Sequence, residues 1–390
     1  MNHAAQAFDG DNGESLARLD ALRAMLASLG LDAVFLTSPQ AIFYYSGFAS
    51  TGYYLPHGLL IAGRDVVLVA RDFERGPALS EARLTGLHCW TNAKPFGAAL
   101  AEAFAAVSSG RPISCGYEAR GNFAPATVLD ALKAVGNVTP EPLGAQVDRL
   151  RAVKSTAEIA LSRQAGAAAI TAMQAGLAGV KTGAVEIDVA AGMMTALVRA
   201  GSDVPASFPY AYFGSRSFCR MQPPSRQAIQ AGDTFYLEAG ASRARYGAAI
   251  LRTGILGEPD PELVRAYAAA REAFEAMERS LVPGATSGKI DAVATTVLAG
   301  HGLAEARLLK AGYSIGIGFA PGWGEGNAFD IAPDDPAVIA ENFVLHLVMV
   351  LMLERFGAIG LSETMQVTAA GPVSLTPFSR DLFVLDPKLA

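Results

Sequence analysis

The stretch GDTFYLEAGASRARYGAAILRT, residues 232–253, constrains the fold of this chain more than any other. It contains two runs of residues with strand propensity, 234–237 and 246–253, separated by small residues and arginines that are typical of a turn. Such a pattern predicts a β-hairpin. Because side chains alternate between the faces of a strand, Glu238 is expected opposite Leu237, at the end of the first strand. A carboxylate there is either solvated or has a function, since burying it without partners is costly.

Composition sets the class of protein. The chain has 390 residues, of which 51% are hydrophobic and 17% charged, so it can bury a substantial core and is long enough for two domains. Its net charge of −6 argues against nucleic acid as a partner, because a nucleic-acid interface needs a basic surface.

Neither a signal peptide nor a membrane span is expected. Residues 1–15 lack the basic start and apolar core of a signal sequence, and the apolar stretch at 343–353 is too short to cross a bilayer. The three cysteines, at positions 89, 115 and 219, are odd in number and widely spaced. Free thiols in a reducing compartment are the simplest interpretation, so we expect a cytoplasmic protein.

The order of elements predicts two domains. Strands predicted at 33–37, 66–70 and 113–117 alternate with helices at 16–29, 96–107 and 123–135, which is typical of an α/β domain at 14–146. A second domain, 147–390, begins close to a capping-box pattern, in which Ser155 precedes Glu158 and opens a long helix. Further helices and the hairpin then predict an α+β domain.

Five motifs occur in an order shared with a known family. They are LRAVKSTAEI, GDTFYLEAG, YGAAILRTGILG, GYSIGIGFAPGWGE and GLSETMQVT. Their order and approximate spacing resemble the creatinase/aminopeptidase-P family, the pita-bread hydrolases, over nearly the whole chain. The resemblance implies a creatinase-type N-terminal α/β domain followed by a pita-bread catalytic domain.

The resemblance also implies a metal site that this chain has lost. Peptidases of the family hold two divalent ions with two aspartates, a histidine and two glutamates. The corresponding positions here are Glu238, Ala249, Tyr313, Val348 and Glu363. Two carboxylates without an imidazole do not complete a two-metal site, so we expect neither a metal nor any other cofactor.

The family includes metal-free enzymes, and the sequence is most similar to the ectoine hydrolases among them. This likeness implies a metal-independent hydrolase of a non-peptide C–N bond in a small amidine or amide, with a ring opening like that of ectoine. The alternatives are a creatinase-like amidinohydrolase, a biosynthetic cyclase or lyase, an Xaa-Pro dipeptidase-like metallopeptidase with a rebuilt site, and a non-catalytic binding module.

The expected catalytic residues are Glu238, Glu363 and His346. Glu238 and Glu363 are expected to lie close together, because both would line the former metal site. Two neighbouring carboxylates in a water-poor cavity raise the pKa of at least one, which separates an acid from a base or nucleophile. His346 lies in the apolar run VLHLV and is either catalytic or a core residue.

Seven further residues are candidates for binding substrate: Tyr313, Trp323, Glu325, Arg220, Tyr212, Tyr54 and His57. Packing is the alternative for the tyrosine and tryptophan of the GYSIG and GWGE motifs, and a loop-stabilising acceptor is the alternative for Glu325. A histidine that the family carries before the hairpin is replaced here near Met221. The resemblance also implies a homodimer in which the segment 51–58 of one subunit closes the site of the other.

Overall fold

The computed structural model describes residues 12–118, 126–219, 222–326 and 328–388. They form two compact units, one that comprises the residues up to Arg151 together with 326 and 328, and one that comprises residues 152–325 and 329–388. Among the described residues, none of the helices combines the length and the apolar character needed to cross a membrane.

The N-terminal unit is an α/β domain. Its strands are β1 (Ala33–Leu36), β2 (Gly58–Ala62), β3 (Asp65–Arg71), β4 (Gly86–Trp90), β5 (Ile113–Glu118) and β6 (Val138–Leu143). Its helices are α1 (Asn12–Ser28), α2 (Pro39–Ser46), α3 (Arg75–Glu81), α4 (Phe96–Ser108), α5 (Ala126–Lys133) and α6 (Gln146–Ala152). The strands form one mixed sheet in the order β4-β3-β2-β1-β5-β6.

The C-terminal unit is larger and contains the hairpin. Its helices are α7 (Thr156–Gly179), α8 (Glu186–Arg199), α9 (Pro261–Ser280) and α10 (Ser287–Gly300). Its strands are β7 (Tyr210–Phe213), β8 (Thr234–Arg243), β9 (Tyr246–Leu256), β10 (Gly312–Phe319), β11 (Gly322–Gly324), β12 (Asp330–Ile331), β13 (Val344–Leu353), β14 (Gly357–Thr368), β15 (Gly371–Ser374) and β16 (Phe383–Leu385). The α/β and α+β classes expected from the sequence are therefore confirmed.

Local sequence explains how the first long helix of this unit begins. The Ser155 hydroxyl accepts the backbone N–H of Glu158, and the Glu158 carboxylate accepts the backbone N–H of Ser155. This reciprocal capping box satisfies two N–H groups that the first turn of α7 leaves unpaired. The capping box predicted from the sequence is confirmed.

One face of the C-terminal sheet is covered by helices. The sheet runs β11-β10-β13-β14-β9-β8-β7, and it is antiparallel along this path. Helices α7 and α8 pack on Leu237, Ala239 and Ile250, whereas α9 and α10 pack on Leu347 and Leu361. Alternation and register place all five of these side chains on the same face. The opposite face, which we call the open face, is available for other residues.

The hairpin is longer than predicted. Strand β8 continues through Gly240 to Arg243, and the chain reverses at Ala244 and Arg245, which both have positive φ. Glu238 therefore lies inside the strand, and its expected position at the strand end is wrong. Gly240 serves packing: a Cβ there would lie 2.4 Å from the Trp323 ring.

We expect Gly240→Ala to destabilise the protein by about 1–3 kcal/mol, because the added methyl group overlaps the indole of Trp323. Chemical denaturation measures the free energy of unfolding. Gly192→Ala is the matched control: it adds the same group to an exposed site in α8 with no atom nearby, and it should stabilise by about 0.5–1 kcal/mol. Equal stability of the two variants would contradict this account of Gly240.

Candidate functional site

Strand register places Glu238 on the open face. Glu238 pairs with Leu251 across β8 and β9, and Leu251 pairs with Ser362 across β9 and β14. Directly paired residues of antiparallel strands point to the same side, so these three side chains share a face. Tyr210 joins them, because it pairs with Glu238 across β7 and β8. Glu238 itself is half-buried.

Aromatic rings surround Glu238. The Tyr236 hydroxyl donates to Glu238 Oε2 at 2.8 Å, and the Tyr236 ring packs against Tyr212 with centroids 5.9 Å apart. Tyr210 stacks on Tyr212 at 5.6 Å and meets Trp323 edge-on at 5.8 Å. The carboxylate is therefore bordered by the electron-rich faces and hydroxyls of aromatic side chains, an environment that favours a cationic ligand.

Trp323 and Tyr313 extend this aromatic surface. Trp323 lies in the short strand β11 and is 6% exposed, so the indole is buried by packing over Gly240 rather than held in an open loop. Its Nε1–H donates to the Tyr313 hydroxyl oxygen at 3.1 Å. Tyr313 is half-buried, and its ring lies against the imidazole of His346 with centroids 5.3 Å apart.

Tyr212 contributes a ring rather than a titrating group. Its hydroxyl donates to the backbone carbonyl of Gln222 at 2.6 Å. Burial raises the pKa of Tyr212, and the neighbouring Tyr210 and Glu238 raise it further. The phenol is neutral at physiological pH and its proton is already donated to a carbonyl.

His346 is fully buried on the open face. It pairs with Tyr313 across β10 and β13 and with Thr364 across β13 and β14, and its Nδ1 lies 3.4 Å from Thr364 Oγ1. Burial, with a smaller contribution from Arg252, lowers the pKa of His346 to about 3. The imidazole is neutral at physiological pH, and with so low a pKa it is a weak proton acceptor.

Glu363 lies on the other face of the sheet. It follows Ser362 in β14, so alternation turns its side chain away from Glu238 and towards the helices. Its carboxylate accepts from Arg252 at 2.6 Å, from two nitrogens of Arg380 at 2.9 Å each, and from Ser374 at 2.8 Å. Arg380 also binds Glu278 of α9. The expectation that Glu238 and Glu363 lie close together is therefore wrong.

Ser362 occupies the position on the open face at which the family resemblance predicted Glu363. A shift of one residue in a strand moves a side chain to the opposite face, so the two assignments have opposite chemical consequences. Glu363 is committed to a buried ion pair with two arginines.

Glu325 also forms a buried ion pair. Its Oε2 accepts from Lys154 Nζ at 2.7 Å and from Ser314 Oγ at 2.7 Å, and the residue is 1% exposed. Of the two roles considered for Glu325, these contacts support that of a structural acceptor. Ser314 follows Tyr313 in β10, so its side chain points away from the open face. The contact with Ser314 therefore places the Glu325 carboxylate away from the open face as well.

The remaining candidates lie elsewhere. Tyr54 and His57 belong to the N-terminal unit, where Tyr54 is 78% exposed. His57 is buried, and its two ring nitrogens lie 2.9 and 3.1 Å from the carbonyl oxygens of Leu55 and Thr37. Their contribution to the site of a partner subunit stays a prediction. Arg220 and the neighbouring Met221 lie outside the described residues.

The residues of the open face do not fit a dinuclear metal centre. The family positions next to Glu238 are occupied by Ala249, Tyr313, Val348 and Ser362, which offer no carboxylate and no imidazole. Within residues 12–118, 126–219, 222–326 and 328–388, no three His, Cys, Asp or Glu side chains are grouped closely enough to hold a metal ion. A divalent ion needs more anionic or imidazole ligands than Glu238 supplies.

Sequence reasoning missed three residues of this site: Tyr210, Tyr236 and Ser362. Tyr236 was accessible from the sequence, because it lies two residues before Glu238 and alternation puts both on one face. Tyr210 and Ser362 reach Glu238 only through strand pairing, which no local pattern reveals.

Because Glu238 and Glu363 lie on opposite faces of the sheet, we expect their glutamine variants to differ in stability. Glu363→Gln should cost about 3–5 kcal/mol of unfolding free energy, because it leaves the buried Arg252 guanidinium without its anion and removes one of the two carboxylates that Arg380 binds. Glu238→Gln should cost less than Glu363→Gln, because Glu238 is half-buried and an amide oxygen still accepts from Tyr236. Denaturant unfolding of both variants checks this. Similar losses would contradict the separation of the two glutamates.

A second prediction concerns pH. Because the pKa of His346 is about 3 in the folded protein against 6.5 as its ordinary value, the unfolded state binds an extra proton between those pH values. The contribution of His346 to the free energy of unfolding is therefore largest above pH 6.5. It falls on acidification by about 1.4 kcal/mol per pH unit. His346→Phe should show a correspondingly shallower loss between pH 6.5 and 4. His301→Gln, at an exposed histidine, is the control, and parallel curves for wild type and His346→Phe would contradict the prediction.

Comparison with known proteins places the chain in a family. Residues 18–153 match the Creatinase/Prolidase N-terminal domain, and residues 160–369 match Metallopeptidase family M24. An Xaa-Pro dipeptidase of Pyrococcus furiosus is 22% identical over 94% of this chain and 99% of its own length. The solved prolidase of Pyrococcus horikoshii OT3 superimposes with a TM-score of 0.80 at 22% identity, covering 94% of this chain and 100% of that one.

The expected likeness to ectoine hydrolase is weaker. The ectoine hydrolase of Halomonas elongata is 28% identical, but the match spans 47% of this chain and 45% of that enzyme. Relatives matched over more than nine-tenths of their length instead include two Xaa-Pro dipeptidases of Pyrococcus, so the expectation of an ectoine hydrolase-like enzyme of non-peptide C–N bonds is wrong. Membership of the family supports a hydrolase activity and confirms the expected pita-bread fold. The chain belongs to metallopeptidase family M24 and carries a Creatinase/Prolidase N-terminal domain.

Proposed function

We propose that the protein is a hydrolase acting on a small dipeptide-like substrate, and that Glu238 binds a positively charged nitrogen of that substrate. The family and the Xaa-Pro dipeptidases among its full-length relatives support the substrate class. One observation carries the binding role. Glu238 is a half-buried carboxylate that accepts from the Tyr236 hydroxyl and lies beside the stacked rings of Tyr210 and Tyr212.

The surroundings of Glu238 suit a ligand with one cationic group and an apolar body. The half-buried residues around it on the open face are Tyr210, Leu309, Tyr313, Val348 and Met352. A protonated amine gains a charge-assisted hydrogen bond from the carboxylate and a favourable contact with the tyrosine rings. The apolar side chains match a hydrophobic or prolyl side chain of a dipeptide.

We further propose that the reaction does not use the dinuclear centre after which the family is named. The donor set around Glu238 argues for this, because Ala249, Tyr313, Val348 and Ser362 replace the expected ligands. Orientation of the substrate and of the attacking water must then come from the protein's own hydrogen-bonding groups.

A second candidate is a binding protein without turnover. It is favoured by the weak basicity of His346, whose pKa of about 3 leaves the open face without a strong imidazole base. Ligand binding at Glu238 would be the same in both candidates, so product formation distinguishes them.

The test is incubation of the protein with Leu-Pro, Ala-Pro and Leu-Ala, in the presence of a chelator, with products followed by mass spectrometry. We expect cleavage that survives the chelator and falls by at least about tenfold in Glu238→Gln, the effect of losing roughly 1.4 kcal/mol of transition-state binding. Glu258→Gln, at an exposed glutamate, is the control.

The other outcomes are equally informative. Cleavage that requires added Mn²⁺ or Zn²⁺ would contradict the proposed independence of metals. Calorimetric binding of a dipeptide to wild type but not to Glu238→Gln, with no product formed, would establish the binding protein. Neither binding nor cleavage of any of the three would contradict the dipeptide class.

A further inference from the structure

Two buried polar atoms on the open face have unused hydrogen-bonding capacity. They are Nε2 of His346 and Oγ of Ser362, and both residues are 0% exposed. Among the residues that the structure describes, neither atom has a hydrogen-bond partner. An unsatisfied buried donor or acceptor costs about 1–3 kcal/mol, so two of them in one place call for an explanation.

The two residues are diagonal neighbours in the sheet. His346 pairs with Thr364, and Val348 pairs with Ser362, along the continuous register of β13 and β14. His346 and Ser362 therefore point to the same face from adjacent strands. Diagonal neighbours of this kind lie roughly 7–8 Å apart, within reach of a long side chain. One small molecule between them can contact both.

Hydrogen bonding defines which atom of His346 accepts. The Thr364 hydroxyl donates its one proton to the Ala249 carbonyl at 3.0 Å and accepts the Ala249 backbone N–H at 2.9 Å. Its remaining interaction, with His346 Nδ1, must then be as an acceptor, so Nδ1 carries the proton of the neutral ring. The network assigns Nε2 as a lone-pair acceptor.

We propose that His346 Nε2 and Ser362 Oγ bind one water molecule. Water donates to the Nε2 lone pair and exchanges a second hydrogen bond with the serine hydroxyl, which removes both unsatisfied groups at once. A buried water needs several polar partners, and this pair provides two on one face.

The position of this water bears on catalysis, and that part rests on the proposed function. Tyr313 and Val348, the cross-strand partners of His346 and Ser362, are half-buried, so the water lies below the accessible part of the open face. In hydrolysis the water oxygen bonds to the acyl carbon, the C–N bond breaks, and a water proton passes to the leaving nitrogen. Nε2 and Ser362 Oγ hold the water for this attack.

The test uses nitrogen NMR of the full-length protein labelled with ¹⁵N-histidine, together with Ser362→Ala. We expect the His346 Nε2 resonance of wild type to be that of a hydrogen-bonded, unprotonated nitrogen, and to move towards the position of an unbonded lone pair in the variant. The variant should be no more stable than wild type, because it loses a satisfied hydroxyl.

Ser287→Ala is the matched control, because this buried serine donates to a backbone carbonyl beside α10, away from the open face. It should leave the His346 resonance in place. An unchanged His346 resonance in Ser362→Ala, combined with a variant more stable than wild type, would overturn the proposal, since removing an unsatisfied hydroxyl stabilises.

Measurements of enzyme activity distinguish the proposed water site from the proposed function. If dipeptides are cleaved, Ser362→Ala should lower kcat by at least about tenfold, or 1.4 kcal/mol, and leave KM nearly unchanged, since the water is not part of substrate binding. Full activity with an unmoved resonance would overturn the water site and leave the function standing. A shifted His346 Nε2 resonance in Ser362→Ala, without cleavage of any dipeptide by the wild type, would support the water site and contradict the proposed function.

Discussion

The C-terminal sheet depends on a division of its two faces. Helices α7 to α10 cover one face and bury its aliphatic side chains, and the open face is left to Glu238, the aromatic residues and the buried histidine. Because side chains alternate along each strand, every residue of β8, β9, β13 and β14 belongs to one face or the other. Whether a strand residue can contact a ligand therefore depends on which face of the sheet its side chain occupies.

The ion pair of Arg252, Glu363 and Arg380 illustrates what the helix-covered face requires. All its carboxylate oxygens are occupied by guanidinium and hydroxyl donors, and Arg380 extends the network to Glu278 on α9. Charges can be buried at this depth only with such complete pairing. The network connects the central strands to a helix that packs on them, and it serves the architecture rather than the ligand.

The sequence predicted local structure well and the site in part. The capping box at Ser155 and the helix-strand order follow from short-range patterns, and alternation placed Glu238 opposite Leu237. Two predictions failed for physical reasons. The sequence predicts a turn directly after Glu238, but the strand continues through Gly240, whose missing side chain accommodates Trp323. Glu363 was assigned to the site in place of Ser362, because register between β9 and β14 depends on tertiary pairing and a slip of one residue reverses the face.

The packing of Trp323 restricts which residues position 249 can hold. The indole lies over Gly240 and packs in one apolar cluster with Ala249 and Ile315, and Ala249 is 0% exposed. An aspartate at position 249 would place a charge among these apolar side chains, while Tyr313, Val348 and Ser362 would still offer no carboxylate or imidazole. An aspartate at this position would therefore destabilise the fold without completing a metal centre. The packing of Trp323 over Gly240 thus favours a small apolar residue at position 249.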